Sequence, residues 1–230
     1  MESTSSEKTE QKGTKYLVFF DLDKTITSTV SGRIIAKAAY RKGMLRGRVV
    51  LSALFNSLAY RLHLKNQLSI INDMLTWVRG VPVMSLEALC SEVFAGIIKP
   101  SIYSDAIKEI EMHRSGQAKI VLLSSSLEPL CSLAAGHLGL DDVICTVLDV
   151  KDGFYTGLAK GAPCFGKEKV KRMREYCEIN NSIPEEAWYY GDSGSDIPVL
   201  DAVGHPVCIN PDRWLKKTAL RKNWEIYRWS

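Results

Sequence analysis

The sequence predicts an α/β fold in which a parallel sheet is interrupted, after its first strand, by a helical insertion. Three observations point there. Short apolar runs alternate with helical patterns along most of the 230-residue chain, as parallel β–α–β connections require. The alternation lapses between residues 28 and 99, where the pattern is helical with little strand signal. Two apolar runs also end in acidic loops, and open parallel sheets hold their ligands beyond such strand ends.

Residues 1–14, MESTSSEKTEQKGT, are polar and contain no apolar run. They read as a disordered tail and not as a secretory leader. The first strand is expected at 16–20, YLVFF. The insertion over 28–99 is punctuated by Gly43, Gly47 and the Gly80-Val81-Pro82 turn. The remainder, 15–27 with 100–230, forms the core. Its helices are expected at Ser104–Ser115, Glu128–Leu138, Lys167–Ile179 and 196–202, and its strands at 119–123, 143–147, 187–190 and 206–209. Asp152-Gly153 sits between two alternating runs and predicts a β-hairpin. The terminal LKKTALRKNWEIYRWS reads as a last helix and strand packed on the core.

Composition narrows the function. Hydrophobic residues at 46% and charged residues at 24% describe an ordinary globular protein, and a net charge of +4 gives no support to a nucleic-acid partner. The most apolar long stretch, VVLSALFNSLAY, is too short to cross a bilayer. The six cysteines form no CxxC pair, which argues against zinc. Scattered through apolar segments, they read as reduced, buried thiols of a cytoplasmic protein.

The chemistry is concentrated in the loops. Asp21 and Asp23 follow the first strand one residue apart, and carboxylates so close repel unless a cation separates them. In WYYGDSGSDIPVL, Asp192 and Asp196 follow another strand. If the two strands are central neighbours, four carboxylates converge, a hard oxygen set without His or Cys that suits Mg²⁺. In IVLLSSSLEPL, Ser124, Ser125 and Ser126 stand between a strand and a helix, where hydroxyls and free N–H groups can hold a phosphate. CFGKEKVKRM offers Lys167 and Lys169 as the balancing cation.

With these motifs in this order, the chain resembles the haloacid dehalogenase superfamily, and within it the phosphoserine-phosphatase-like branch, subfamily IB. DLDKTIT, VLLSSS, GKEKV and GDSGSD correspond to the family's four motifs, and the likeness runs from about Lys15 to the C-terminus. It implies a Rossmann-like parallel-sheet core with a C1-type helical cap over 28–99. It also implies a Mg²⁺-dependent phosphatase working through an aspartyl-phosphate. By position, Asp21 is then the nucleophile, Asp23 the general acid/base and Thr25 a support of the loop at the phosphate site. Ser124, with Ser125 beside it, binds the phosphoryl group. Lys169 matches the motif lysine better than Lys167. Asp192 and Asp196 complete a metal set with Asp21 and Asp23.

The resemblance implies a small phosphorylated metabolite as substrate. Phosphoserine phosphatases carry a Glu shortly after the first motif to hold the amino group, and here that stretch reads TSTVSG. They also carry a cap arginine, which falls near Met74 or Arg79. The cap is basic and apolar: no Asp or Glu lies between Lys24 and Asn72, while Arg46, Arg48, Arg61, Lys65 and a helical spacing of Leu51, Leu54, Phe55, Leu58 and Leu62 do. A phosphorylated lipid, reached by peripheral contact with an anionic membrane, is therefore an alternative. Phosphoryl transfer to another acceptor and a catalytically silent phosphate-binding protein are further rivals. The retained Asp21, Asp23, Lys169, Asp192 and Asp196 speak against silence.

Overall fold

A computed structural model describes residues 15–45 and 75–230. The expected tail 1–14, the basic apolar stretch 46–74 and Met74 lie outside the described residues.

Six parallel strands form one sheet in the order β3-β2-β1-β6-β7-β8. They are β1 (Leu17–Phe20), β2 (Lys119–Leu127), β3 (Asp142–Thr146), β6 (Trp188–Gly191), β7 (His205–Ile209) and β8 (Glu225–Tyr227). All four residues of β1 are buried, as expected of a strand covered on both faces. Alternation sends its side chains to opposite sides. Val18 and Phe20 join one apolar cluster with Ile110, Leu130 and Val207. Leu17 and Phe19 join another with Met173, Val199 and Leu215. Each fully buried Phe contributes roughly 2–3 kcal/mol.

The helices of the first face are α1 (Ser31–Arg41), α2 (Val83–Val93), α3 (Ser104–Ser115) and α4 (Glu128–Leu138). The second face carries α5 (Lys167–Ile179), α6 (Ile197–Leu200) and α7 (Arg213–Lys222). α1 and α2 lie within 28–99, the stretch expected to form the insertion. Their Ile35, Leu86, Leu89 and Val93 share the apolar cluster of Ile120 and Leu130 in the core. A π-helical turn at Phe94–Ile98 and a 3-10 turn at Lys99–Ser101 lead back to the sheet.

β4 (Leu148–Lys151) and β5 (Phe154–Ala159) form the expected hairpin. Asp152 and Gly153 both have positive φ, 51° and 82°, as a two-residue mirror-image turn demands. The hairpin meets the segment just before α2: Gly80 N–H donates to Tyr155 O at 2.8 Å, and Tyr155 N–H returns to Val81 O at 3.0 Å.

Two expected bounds change. β2 does not stop at Leu123 but continues through the three serines, because its pairing with β3 shifts register and resumes at Leu127↔Thr146. The helix expected at 196–202 is a 3-10 turn, Gly194–Asp196, followed by the short α6. All six cysteines are free and buried. Among the described residues no helix is long and apolar enough to cross a membrane.

A polar chain crosses the first apolar face. The Tyr190 hydroxyl donates to Glu109 Oε1 at 2.6 Å and lies 2.7 Å from His113 Nε2, while Tyr16 OH lies 3.0 Å from His113 Nδ1. Because the Tyr190 proton is committed to Glu109, Nε2 carries the imidazole hydrogen and Nδ1 accepts from Tyr16. Burial pushes the His113 pKa down to about 4.

Candidate active site

β1 lies between β2 and β6, with Phe20 level with both Leu122 and Tyr190. Asp21, the first residue past β1, therefore emerges beside the serines of β2 and beside Asp192, the first residue past β6. Its N–H is fixed by Tyr190 O at 3.0 Å. Asp21, Asp192 and Asp196 each present an oxygen within 4.8 Å of the others.

Lys169 closes this group from below. Its Nζ donates to Asp21 Oδ1 at 2.9 Å and to Asp196 Oδ1 at 2.8 Å, and the residue is 3% exposed. Lys167 is exposed. The difference was legible in the spacing: Lys169, Met173 and Cys177 recur every four residues and form the buried stripe of α5. That face places Lys169, and not Lys167, among the carboxylates.

The carboxylates differ because their partners differ. Asp196 accepts from Lys169, from Tyr189 OH at 2.6 Å, and from Ser193 through both N–H at 3.2 Å and Oγ at 3.0 Å. Burial would raise its pKa, but Lys169 and these donors outweigh burial and hold it low. Among the described residues Asp21 has Lys169 alone on its side chain, and burial with the neighbouring Asp196 and Asp23 charges pushes it up to about 7. Asp192, half-buried, is pushed up to about 8 by burial and by Asp21 and Asp196. Burial works against the Lys169 charge too, yet Asp196 and Asp21 together hold its pKa well up. One ammonium among so many carboxylates leaves an excess of negative charge. An all-oxygen trio of this kind fits a hard divalent cation such as Mg²⁺.

Asp23 stands outside that trio. Its Oδ1 accepts the Ser31 N–H at 2.9 Å and its Oδ2 accepts Ser31 Oγ at 2.9 Å, at the first residue of α1. Burial raises its pKa, and the bonds from Ser31 and Ser126 work against that rise. Nothing in the sequence signalled Ser31 or Tyr189, and Ser126, read there as one of three serines for a phosphate, turns its hydroxyl toward Asp23. The Ser193-x-x-Asp196 spacing could have been read as a capping box, and one is present.

A cavity of about 180 Å³ opens onto this cluster. Asp21, Asp23, Asp192, Asp196, Lys169 and Ser125 line it, with Lys24, Val30, Phe165, Gly166, Ser193 and Ser195 completing the wall. Ser124 and Thr25 stand behind the lining. Ser124 is buried, with its Oγ accepting Ser126 N–H at 3.3 Å. Thr25 is fully buried, and its Oγ1 has no hydrogen-bond partner among the described residues. Arg79 does not line the cavity: its Nε donates to Thr156 O at 3.1 Å on the hairpin. Gly191 is required by close approach. A Cβ there would sit 2.8 Å from the Tyr189 ring and 2.9 Å from Asp196 Cβ, displacing a cluster carboxylate.

Residues 18–201 match the family described as haloacid dehalogenase-like hydrolase. A probable phosphatase of Mycobacterium tuberculosis (strain ATCC 25618 / H37Rv) is 31% identical over 215 residues, 92% of this chain and 75% of that one. A phosphoserine phosphatase of the same strain is 27% identical over 212 residues, 90% of this chain and 69% of that one. A Bordetella pertussis Tohama I protein of unknown function has the same fold, with a TM-score of 0.83 at 24% identity over 93% of this chain and 98% of the other.

Proposed function

The chain belongs to the haloacid dehalogenase-like hydrolases, and from that premise we propose that this phosphatase cleaves a phosphomonoester through an aspartyl-phosphate on Asp21. The observation that carries the reading is Lys169 bridging Asp21 and Asp196 beneath the cavity, with Asp192 completing the trio. Lys169 holds Asp21 Oδ1, which leaves the second oxygen to attack phosphorus. The Asp21–phosphorus bond forms as the ester P–O bond breaks, and Asp23 gives its proton to the leaving oxygen. Asp23 then takes a proton from the water that opens the aspartyl-phosphate, releasing inorganic phosphate and restoring Asp21. The Lys169 ammonium, with Ser125 of β2 on the cavity wall, offsets charge on the phosphoryl oxygens, and Ser124 supports that wall from behind. Asp21, Asp192 and Asp196 would hold Mg²⁺, which when bound adds Lewis-acid stabilisation of that charge. The test is Asp21→Asn with p-nitrophenyl phosphate and Mg²⁺: turnover falls by about 10⁴-fold or more, and turnover that survives overturns the reading.

For the substrate we infer a small phosphorylated metabolite without an ammonium group beside the ester. Among the described residues, the only acids lining the cavity are the four aspartates already named, and the lining adds Val30, Phe165 and Lys24. Phosphoserine is the second reading, favoured by the likeness to the mycobacterial phosphoserine phosphatase. We also place the cap at 28–99. Contact of that cap with an anionic membrane rests on Arg46 and Arg48, outside the described residues. Sedimentation with anionic liposomes that is insensitive to neutralising both arginines would remove that idea.

A further inference from the structure

Asp23 is gripped from two directions by serines that belong to different parts of the fold. Ser31, 1% exposed, opens α1, the first helix of the insertion, and binds both carboxylate oxygens, one through its backbone N–H and one through its hydroxyl. Ser126, at the end of β2 in the core, lies 2.5 Å from Ser31 through their hydroxyl oxygens and 3.5 Å from Asp23 Oδ2. The same Ser126 gives its N–H to Ser124 Oγ. A single hydrogen-bonded string thus runs from the serines of β2 through Ser126 and Ser31 to Asp23.

The proton count gives the string a direction. With Asp23 ionised, Ser31 Oγ donates to Oδ2, so the short contact between the hydroxyls is filled by the Ser126 hydrogen. With a proton on Oδ2 directed into the cavity that Asp23 lines, Ser31 Oγ still donates to the remaining lone pair of that oxygen, so the string keeps its order. Either way the Ser31 N–H stays on Oδ1, and the carboxyl plane does not turn. A general acid must meet the leaving oxygen in one geometry, and a fixed plane provides it.

We propose that Ser31 and Ser126 are positioning residues that set the Asp23 carboxyl group for proton transfer to the leaving oxygen. Since Ser31 starts the insertion, they tie the placement of the insertion to the geometry of the acid. The proposal rests on the reading of Asp23 as general acid. It concerns the part of the reaction that depends most on the leaving group: an alkoxide needs the proton, whereas p-nitrophenolate leaves readily without it.

The experiment compares kcat/KM for glycerol 2-phosphate and for p-nitrophenyl phosphate, with Mg²⁺, in the full chain carrying Ser31→Ala, Ser31→Thr or Ser126→Ala. The proposal expects Ser31→Ala and Ser126→Ala to lower kcat/KM for the alkyl ester about tenfold more than for the aryl ester. It expects Ser31→Thr, which keeps the hydroxyl, to restore most of the difference. Equal losses on both esters, or no loss on either, overturn it. If the buried Ser31→Ala change prevents folding, the half-buried Ser126→Ala decides alone. Asp21→Asn separates the two levels: if it remains active the proposed chemistry fails, whereas an inactive Asp21→Asn with no leaving-group effect at the serines rejects this inference only.

Discussion

The ammonium of Lys169 lies 2.8 Å from Asp196 and 2.9 Å from Asp21, joining residues 27 and 148 positions away in the chain. All three side chains are at least nine-tenths buried. A buried cation shared by two carboxylates cannot be removed without leaving uncompensated charge.

Lys169→Met therefore harms both activity and stability. Loss of one partner from a buried ion pair costs about 3–5 kcal/mol, and urea unfolding of the variant is expected to show a loss of that size. Phosphatase turnover falls by about 10²-fold or more, because a preorganised positive charge at the phosphoryl oxygens is lost. Lys167→Met, on the exposed neighbour, leaves both unchanged.

If Asp21, Asp192 and Asp196 hold Mg²⁺ as proposed, divalent metal is expected to stabilise the fold through them. At a free Mg²⁺ concentration about 100-fold above Kd, linkage adds about 2.7 kcal/mol, a rise in Tm of about 5 °C or more for a chain of this size. Asp192→Asn is expected to abolish the rise, and so is EDTA. A thermal melt needs no turnover, so it reports the metal site independently of catalysis. An undiminished Mg²⁺ shift in Asp192→Asn would place the cation elsewhere.

Val30 lines the cavity, where among the described residues no spare acid faces it. Val30→Glu introduces a carboxylate for a substrate ammonium. The ratio of kcat/KM for phosphoserine to that for glycerol 2-phosphate is expected to rise about tenfold. A constant ratio would show that the amino group does not reach this wall.

His113 makes stability depend on pH. Burial lowers its pKa from 6.5 to about 4, so between those values the unfolded chain binds the proton that the folded chain refuses. Stability contributed by neutral His113 is fully present above pH 6.5 and is lost as pH falls toward 4. The groups facing the ring are Tyr16, Tyr190, Glu109, Phe20 and Trp188. Of the charged groups here, Glu109, 3.8 Å away, is the one able to welcome a proton on the imidazole. Urea titrations at pH 7 and pH 4.5 are expected to show a smaller loss for His113→Gln than for the parent chain.

Much of the architecture could be read from the residues alone. Helices Ser104–Ser115, Glu128–Leu138 and Lys167–Ile179 fall where their periodicity places them, and Asp152-Gly153 makes its hairpin. Local chemistry decides these elements. What could not be read depends on contacts between distant segments. β2 runs on past Leu123 because β3 re-pairs with it after a shift. The Asp23 side chain turns from the metal trio because the start of α1, eight residues later, meets it there. That placement follows from the path of the intervening loop, which Ser28 N–H pins to Ser101 O at 2.8 Å and Tyr103 N–H pins to Ile26 O at 2.9 Å. No window of sequence contains both partners of those bonds.

The strand order carries a further cost for synthesis. β1 leaves the ribosome first, but its two neighbours are β2 and β6, about 100 and 170 residues later in the chain. Until Trp188–Gly191 has been made, an entirely apolar segment waits with one edge open, and closing so large a loop is slow. During translation the run Leu17–Phe20 is therefore a segment for a chaperone to shield, and the same delay keeps Asp21 from meeting Asp192 until 171 further residues have been made.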